Sequence, residues 1–212
     1  MRLIAERGFD GLTMQQLARE LDYAPAALYR YFDSKDELVA LLQARAIAEL
    51  RRDFELSRQR WAERLPRDER IAALVELLLA ARFYRRLRSR SPRVFHLLSV
   101  TLADPRKLVD EVASSVVAPP MMSVLSLVGI LFEAAARVGA LTDAHSALER
   151  TILFWSSAHG VMMLHKLERL APGDIDTTTL NETLTTTLLA GWGATSSNLA
   201  TAQRWIQNED PQ

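Results

Sequence analysis

Apolar residues recur at three- and four-residue spacing from Glu37 to near the end of the chain, with Gly or Pro at the breaks. That rhythm predicts helices almost end to end and no strand. A first long helix is expected from Ser34 past Arg60 toward Pro66. "ERIAALVELLLAARFYRRLR" is the next, with arginines in its last turns, where the helix dipole favours cations. "SPRVFHLLSVTLA" and "DPRKLVDEVASSVV" read as shorter helices, each opening on a capping residue followed by proline. A longer helix is expected from about Pro120 to Val138. Two long helices close the chain, about Asp143 to Leu170 and Thr178 to Gln207, separated by "APGDIDT". In the threonine-rich "TTTLNETLTTTLL", Leu180, Leu184 and Leu188 share one face and form a structural stripe. The pattern amounts to roughly nine helices, an all-α fold.

The stretch before this rhythm, "TMQQLARELDYAPAALYRYFDSKDEL", carries denser signals. Thr13 with Gln16 is a capping box, and Leu12 with Leu17 stands at the positions of a hydrophobic staple. The helix they start turns Met14, Leu17, Ala18 and Leu21 to one side and Gln15, Gln16, Arg19 and Glu20 to the other. Pro25 suits the first position of a second helix reaching Phe32, and Ser34 with Glu37 is a second capping box. Two short helices joined by a tight turn and followed at once by a third form a helix-turn-helix. In the second helix Ala24, Leu28 and Phe32 point to the core, while Ala26, Tyr29 and Arg30 point away, with Tyr31 at their edge. A small residue permits close approach to a major groove, and Arg30 suits a phosphate or a guanine. Lys35, beside the N-terminus of the helix capped at Ser34, suits a second phosphate. The competing reading makes Tyr29 and Tyr31 partly buried packing residues and Arg30 a solvated charge.

Composition adds limits rather than direction. The 212 residues are 49% hydrophobic and 25% charged, which fits a packed core under a solvated surface. Lys and Arg number 26, Asp and Glu 26, so binding to DNA or membrane must come from local patches. Without cysteine there is no disulfide, thiolate catalysis or cysteine-held metal, and the expected location is the cytoplasm. "VVAPPMMSVLSLVGILF" and "TILFWSSAHGVMML" are apolar but short of a bilayer span, and the first is broken by Pro119 and Pro120. Both are expected to be buried core helices, with no membrane partner.

From Gly8 to Val39, "GFDGLTMQQLARELDYAPAALYRYFDSKDELV" resembles the DNA-binding domain of the tetracycline-repressor family nearly end to end. The rest is similar only in architecture. The resemblance implies residues 1–45 as a three-helix DNA-binding domain and 46–212 as a helical ligand-binding and dimerisation domain. It implies a homodimeric transcriptional regulator, most simply a repressor, that binds a palindromic double-stranded operator and releases it when a small apolar or amphipathic effector binds. By position, Thr13, Gln15, Ala26, Tyr29, Arg30, Tyr31 and Lys35 would meet DNA. Two departures stand out. Family members carry more of a first helix than "MRLIAERGF" supplies, so a start upstream of Met1 is expected. Residues 1–45 hold six basic against seven acidic side chains, so DNA affinity should be modest and strongly salt-dependent.

No hydrolase, phosphate-loop or zinc-protease motif occurs, and the chain is expected not to be an enzyme and to need no cofactor or metal. His165 and Glu168 share a helix face, but a lone pair of this kind reads as solvent-side rather than metal-binding. His96 and His159 lie on apolar helices, where packing through one hydrogen bond is the first reading and pocket lining the second. Phe83, Phe95, His96, Met122, Phe132, Trp155, His159 and Met162 are the candidate effector-lining residues. Small residues that permit close helix approach, with larger ones filling the gaps between layers, mark the candidate dimer interface: Ser156, Gly160 and Met163 in one closing helix, and Leu188, Trp192, Ser196 and Leu199 in the other. An architectural DNA-binding dimer without a sensor, or a helical-bundle enzyme, are the alternatives.

Overall fold

The computed structural model describes residues 13–103 and 111–209. Nine α-helices appear among them: α1 Met14–Glu20, α2 Pro25–Leu28, α3 Lys35–Ala62, α4 Glu69–Arg90, α5 Pro92–Ala103, α6 Glu111–Arg137, α7 Ala147–Met163, α8 Thr177–Gly191 and α9 Ser196–Glu209. A 3-10 helix, Leu164–Arg169, follows α7. There is no strand among the described residues. Leu12 of the expected staple and the stretch "MRLIAERGF" fall outside them.

The chain divides into two compact units. One takes Met1–Leu50 with Ser89–Met122, the other Arg51–Arg88 with Ser123–Gln212. In the first, Met14, Ala18, Leu28 and Leu38 form a small core with Leu17, Phe32 and Leu42 against it. A second small cluster joins Ala46 and Leu97 to Leu17, Val39, Leu42 and Val94. Gln43, buried beside it, donates to the Leu97 carbonyl at 3.4 Å and ties α3 to α5. Leu17 belongs to both clusters, so α1 is fixed between the α2–α3 hairpin and α5.

The second unit has one large core. Leu74, Val75, Leu77 and Leu79 of α4, Leu131 and Phe132 of α6, Phe154 of α7, Leu189 of α8 and Leu199 of α9 all take part. Phe132 sits edge-on to both Phe154 and Trp192, with ring centroids 5.4 Å away in each case. Such T-shaped contacts set the electropositive ring edge against the neighbour's π face.

Three expectations about the helices change. The segments expected as separate helices around Pro119 and Pro120 run as one, α6, with both prolines inside it. Ser115, Ala118 and Pro119 are exposed, so solvent reaches the backbone where the proline nitrogens donate nothing. As a result Ser115–Arg137 is the one helix among the described residues long and apolar enough to cross a membrane, with a mean hydropathy of 2.0. Only 28% of it is buried, against the expected core helix. The closing helix expected from Thr178 to Gln207 is two helices, α8 and α9, hinged where Gly193 takes φ +104°. A Cβ there would stand 2.5 Å from the Thr142 side chain, a contact real side chains do not make. Finally, the leucine stripe of α8 is not its buried face. Leu180 is 45% exposed, and the face buried in the unit is Thr177, Asn181, Thr185 and Leu189.

That polar face is satisfied locally. The Thr185 hydroxyl donates to the Asn181 carbonyl at 2.8 Å, and the Asn181 amide donates to the Ala158 carbonyl of α7 at 3.0 Å. Small, internally bonded side chains let α7 and α8 approach closely at no cost in unpaired polar groups.

Candidate functional site

The helix pair α1–α2 is built from its caps inward. Thr13 accepts from the Gln16 N–H at 3.2 Å while the Gln16 side chain accepts from the Thr13 N–H at 3.2 Å. Each orphan donor so satisfied is worth about 1 kcal/mol. The turn after α1 is a Schellman motif. The Tyr23 N–H reaches the Ala18 carbonyl at 2.9 Å and the Asp22 N–H reaches Arg19 at 3.3 Å, with Asp22 at φ 56° in the left-handed region. Glycine is commonest at that position, and aspartate tolerates it. Pro25 then opens α2 at its first turn. At the next helix start, Ser34 accepts from the Glu37 N–H at 3.0 Å, but Glu37 returns to the Asp33 N–H at 2.6 Å, one residue before the cap.

α2 is shorter than expected. It ends at Leu28, and the Arg30 and Tyr31 N–H groups bond three residues back, to Ala27 and Leu28, so Tyr29, Arg30 and Tyr31 ride on a tightened last turn. Leu28 is buried at 6% exposure and Phe32 is half-buried, as the outward-and-inward reading requires. Ala24 and Leu21, expected to face inward, are exposed, Leu21 at 50%. Leu21 is the C-cap of α1, where the chain has left the helical face on which the periodicity was counted.

The side chains left outward are Gln15 on α1 and Ala26, Tyr29, Arg30 and Tyr31 on and after α2, all exposed, with Thr13 also exposed and Lys35 half-buried. Tyr29 is 52% and Tyr31 74% exposed, which sets aside the reading of them as packing residues. Tyr23, in the turn, is 59% exposed and was given no role by periodicity. Its position between two helices left nothing in the pattern to show which way it points.

The effector candidates are divided between the two units. Phe95 and His96 are on α5 and Met122 is the last residue of the first unit, while Phe83, Phe132, Trp155, His159 and Met162 belong to the second. Phe132 is fully buried and is core. Met162 is 2% exposed, and Phe83 packs on Phe54 at 5.2 Å. What the second unit does bring together is a polar–aromatic group. The Tyr84 hydroxyl lies 2.8 Å from His159 Nδ1, and the Trp155 ring is 5.9 Å from the imidazole. Burial pushes the Tyr84 phenol well above its ordinary value, partly offset by a hydrogen bond with the Trp155 side chain. Burial lowers the pKa of His159 and favours its neutral form. Tyr84 escaped the sequence reading because it sits inside the arginine run.

Of the dimer candidates, Trp192 and Leu199 are 5% and 3% exposed in the chain's own core, so they have no face left for a partner. Ser156, Gly160, Met163 and Ser196 are exposed and Leu188 is half-buried. A Cβ on Gly160 meets nothing within 4 Å. Around Gly160 on α7, Leu148, Ile152, Leu153 and Met163 are also exposed. His165 Nδ1 pairs with the Met162 carbonyl at 3.2 Å, and Glu168 accepts from the Thr177 N–H at 3.0 Å and from its hydroxyl. The pair therefore fastens the turn between α7 and α8.

One buried charge went unread. Arg150 is 1% exposed, donates to the Thr142 carbonyl and lies 6.0 Å over the Trp192 ring. Thr142 in turn donates from its N–H and hydroxyl to the Trp192 carbonyl, at 2.9 and 3.0 Å. Arg150, Thr142 and Trp192 thus lock the loop before α7 onto the α8–α9 hinge.

An all-helical chain that holds a capped helix pair with two tyrosines and an arginine turned to solvent is of the helix-turn-helix DNA-binding class. Residues 1–42 match the sequence profile of bacterial regulatory proteins of the tetR family, and over the rest of the chain the similarity to such regulators is one of fold. The fold is shared with the fatty acid degradation regulator FadR of Bacillus halodurans, at 15% identity over 90% of this chain and 94% of that one, with a TM-score of 0.66. FadR of Bacillus subtilis, solved in complex with stearoyl-CoA, is similar at 13% identity, the same coverage and a TM-score of 0.65. A TetR-family regulator from Agrobacterium tumefaciens is 18% identical over 91% and 92% of the two chains, with a TM-score of 0.60. No curated protein matches the sequence.

Proposed function

We propose that this protein is a ligand-responsive repressor that binds a palindromic operator as a homodimer and lets it go when a small apolar or amphipathic effector binds among the C-terminal helices. The carrying observation is the exposed row Tyr29, Arg30 and Tyr31 behind a buried Leu28. Arg30 offers a bidentate donor to guanine or a phosphate, and the tyrosine hydroxyls offer phosphate contacts. Gln15 and Thr13 flank them from α1, Ala26 allows close approach, and Lys35 adds a phosphate contact at the start of α3. One such unit makes few contacts, so a two-fold pair reading two half-sites supplies specificity.

The dimer face that this reading favours is the exposed side of α7, with Ile152, Leu153, Ser156, Gly160 and Met163, joined by Leu180 of α8. A sensor role is supported by the Tyr84–His159 pair beside Trp155, a polar anchor with aromatic surroundings. The shared fold with a FadR that holds stearoyl-CoA supports an amphipathic effector. The regulator would act in the cytoplasm, beside its DNA.

The test is selection of bound sequences from a random duplex pool with the full-length protein, followed by release with candidate effectors. A palindromic consensus bound by two chains is expected. Gly160→Leu, which has open space in its own chain, should weaken dimer and operator binding together by about tenfold or more. A protein that selects no sequence, or binds its palindrome as tightly when Gly160→Leu has made it monomeric, contradicts the proposal.

A further inference from the structure

Residues 21–26, from the end of α1 into the first turn of α2, are exposed at every position. Leu21 is 50% and Tyr23 59% exposed, and Ala24, Pro25 and Ala26 complete an apolar tip broken only by Asp22. Its backbone is fixed at both ends: the Tyr23 N–H bonds the Ala18 carbonyl at 2.9 Å, and Pro25 sets the first helical angle of α2. The start of α2 also lacks what its neighbours have. Thr13 and Ser34 accept from the N–H groups of the helices they precede, whereas Ala24, the N-cap of α2, makes no side-chain cap bond. Serine would cap the helix and suit solvent better, so alanine here forgoes stability at an exposed position. The tip is continuous with the outward row. Ala26 lies three and four residues before Tyr29 and Arg30, which puts the three on one side of the helix.

We propose, resting on the operator-binding reading above, that this tip reads thymine by its 5-methyl group, with one or two thymines of each half-site lying against Ala26, Pro25 and the Tyr23 ring. The N-terminal residues of the second helix are the ones such a motif brings to the base edges. In the major groove bases differ by their donors and acceptors, and thymine alone adds a methyl. Ala24, Pro25 and Ala26 have no side-chain donor or acceptor, so they pair with neither the acceptors of guanine nor the amine of cytosine. The Asp22 carboxylate only accepts, and so cannot pair with guanine either. What the tip can do is take a methyl out of water, and its small residues let the backbone come close enough to do so. Reading by hydrogen bonds is left to Arg30 and Gln15.

The test uses the duplex that the full-length protein selects, with its thymines replaced one at a time by deoxyuridine, which pairs alike and lacks only the methyl. At one or two positions per half-site the replacement should weaken binding about fourfold, the effect of leaving one methyl group unburied. Ala26→Gly and Tyr23→Ala then show what the methyl meets. In at least one of them thymine and deoxyuridine should bind alike at those positions, a ratio that general damage to the fold does not move. Ala24→Ser should raise the melting temperature by restoring a cap, and should narrow the same ratio. An operator bound equally well with deoxyuridine at every position overturns the proposal and leaves the repressor reading standing. So does a preference for thymine that is undiminished in all three variants, because the methyl then acts through the shape of the DNA. A pool that yields no operator overturns both.

Discussion

Between α1 and α2 the shared core is Met14, Ala18, Leu28 and Leu38, a handful of apolar side chains closed at its edges by caps and a Schellman turn. Between α7 and α8 the buried side of α8 is Thr177, Asn181, Thr185 and Leu189, and the Asn181 amide donates to a backbone carbonyl of α7. The first pair therefore leans on the hydrophobic effect, which has no direction, and on local caps that fix its angles. The second adds one directional bond, from Asn181 to Ala158, to the share that Phe154 and Leu189 take in the large core. A DNA-reading pair needs a defined orientation with its outer face free, and caps supply that without occupying the outward side chains. A pair in a large core can afford polar contacts because every one of them is satisfied.

The largest effect is expected at the α8–α9 hinge. Gly193→Val puts a side chain on Thr142 at a φ that L residues rarely adopt, and should cost about 4 kcal/mol in urea unfolding. A loss under about 1 kcal/mol would mean that the loop carrying Thr142 yields easily. Leu28→Ala comes next. It removes a buried leucine from the small core, at roughly 3 kcal/mol, and should abolish DNA binding because α2 has no other anchor of that size.

A pair of changes then sharpens the contrast on α8. Asn181→Ala strips the Ala158 carbonyl of its side-chain donor and opens a small void, for about 2 kcal/mol. Thr185→Val removes a hydroxyl whose acceptor already has a helical partner, and should cost less than about 1 kcal/mol. Equal losses for the two would show that the polar face works by shape alone. Thermal melts of both variants beside the wild type read the difference.

How much of this was legible depended on whether a signal was local. Thr13, Gln16, Ser34, Glu37 and Pro25 act over three or four residues, and the helix starts they announce are where the sequence puts them. The outward set of α2 followed, because Leu28 alone fixes its rotation. Non-local contacts were not legible. Gly193 looks like any small residue in a closing helix until Thr142, far away in the chain, is set against it. The threonine face of α8 was misread because periodicity counts leucine as inside and cannot see a hydroxyl satisfied by its own helix. Arg150 reads as a surface charge, and only the Thr142 carbonyl and the Trp192 ring explain its burial. Aromatics and methionines on apolar helices fit an effector lining and core residues such as Phe132 equally well.

The central claim is that the exposed row after Leu28 reads DNA, and fluorescence anisotropy on the selected operator tests it most directly. Arg30→Ala should weaken operator binding by about 1 to 3 kcal/mol if the guanidinium reads a base, or lower the salt slope by about one if it holds a phosphate, with the melting temperature unchanged because the side chain is exposed. Tyr29→Ala should weaken binding as well. Wild-type affinity and wild-type salt dependence in both variants would contradict the account.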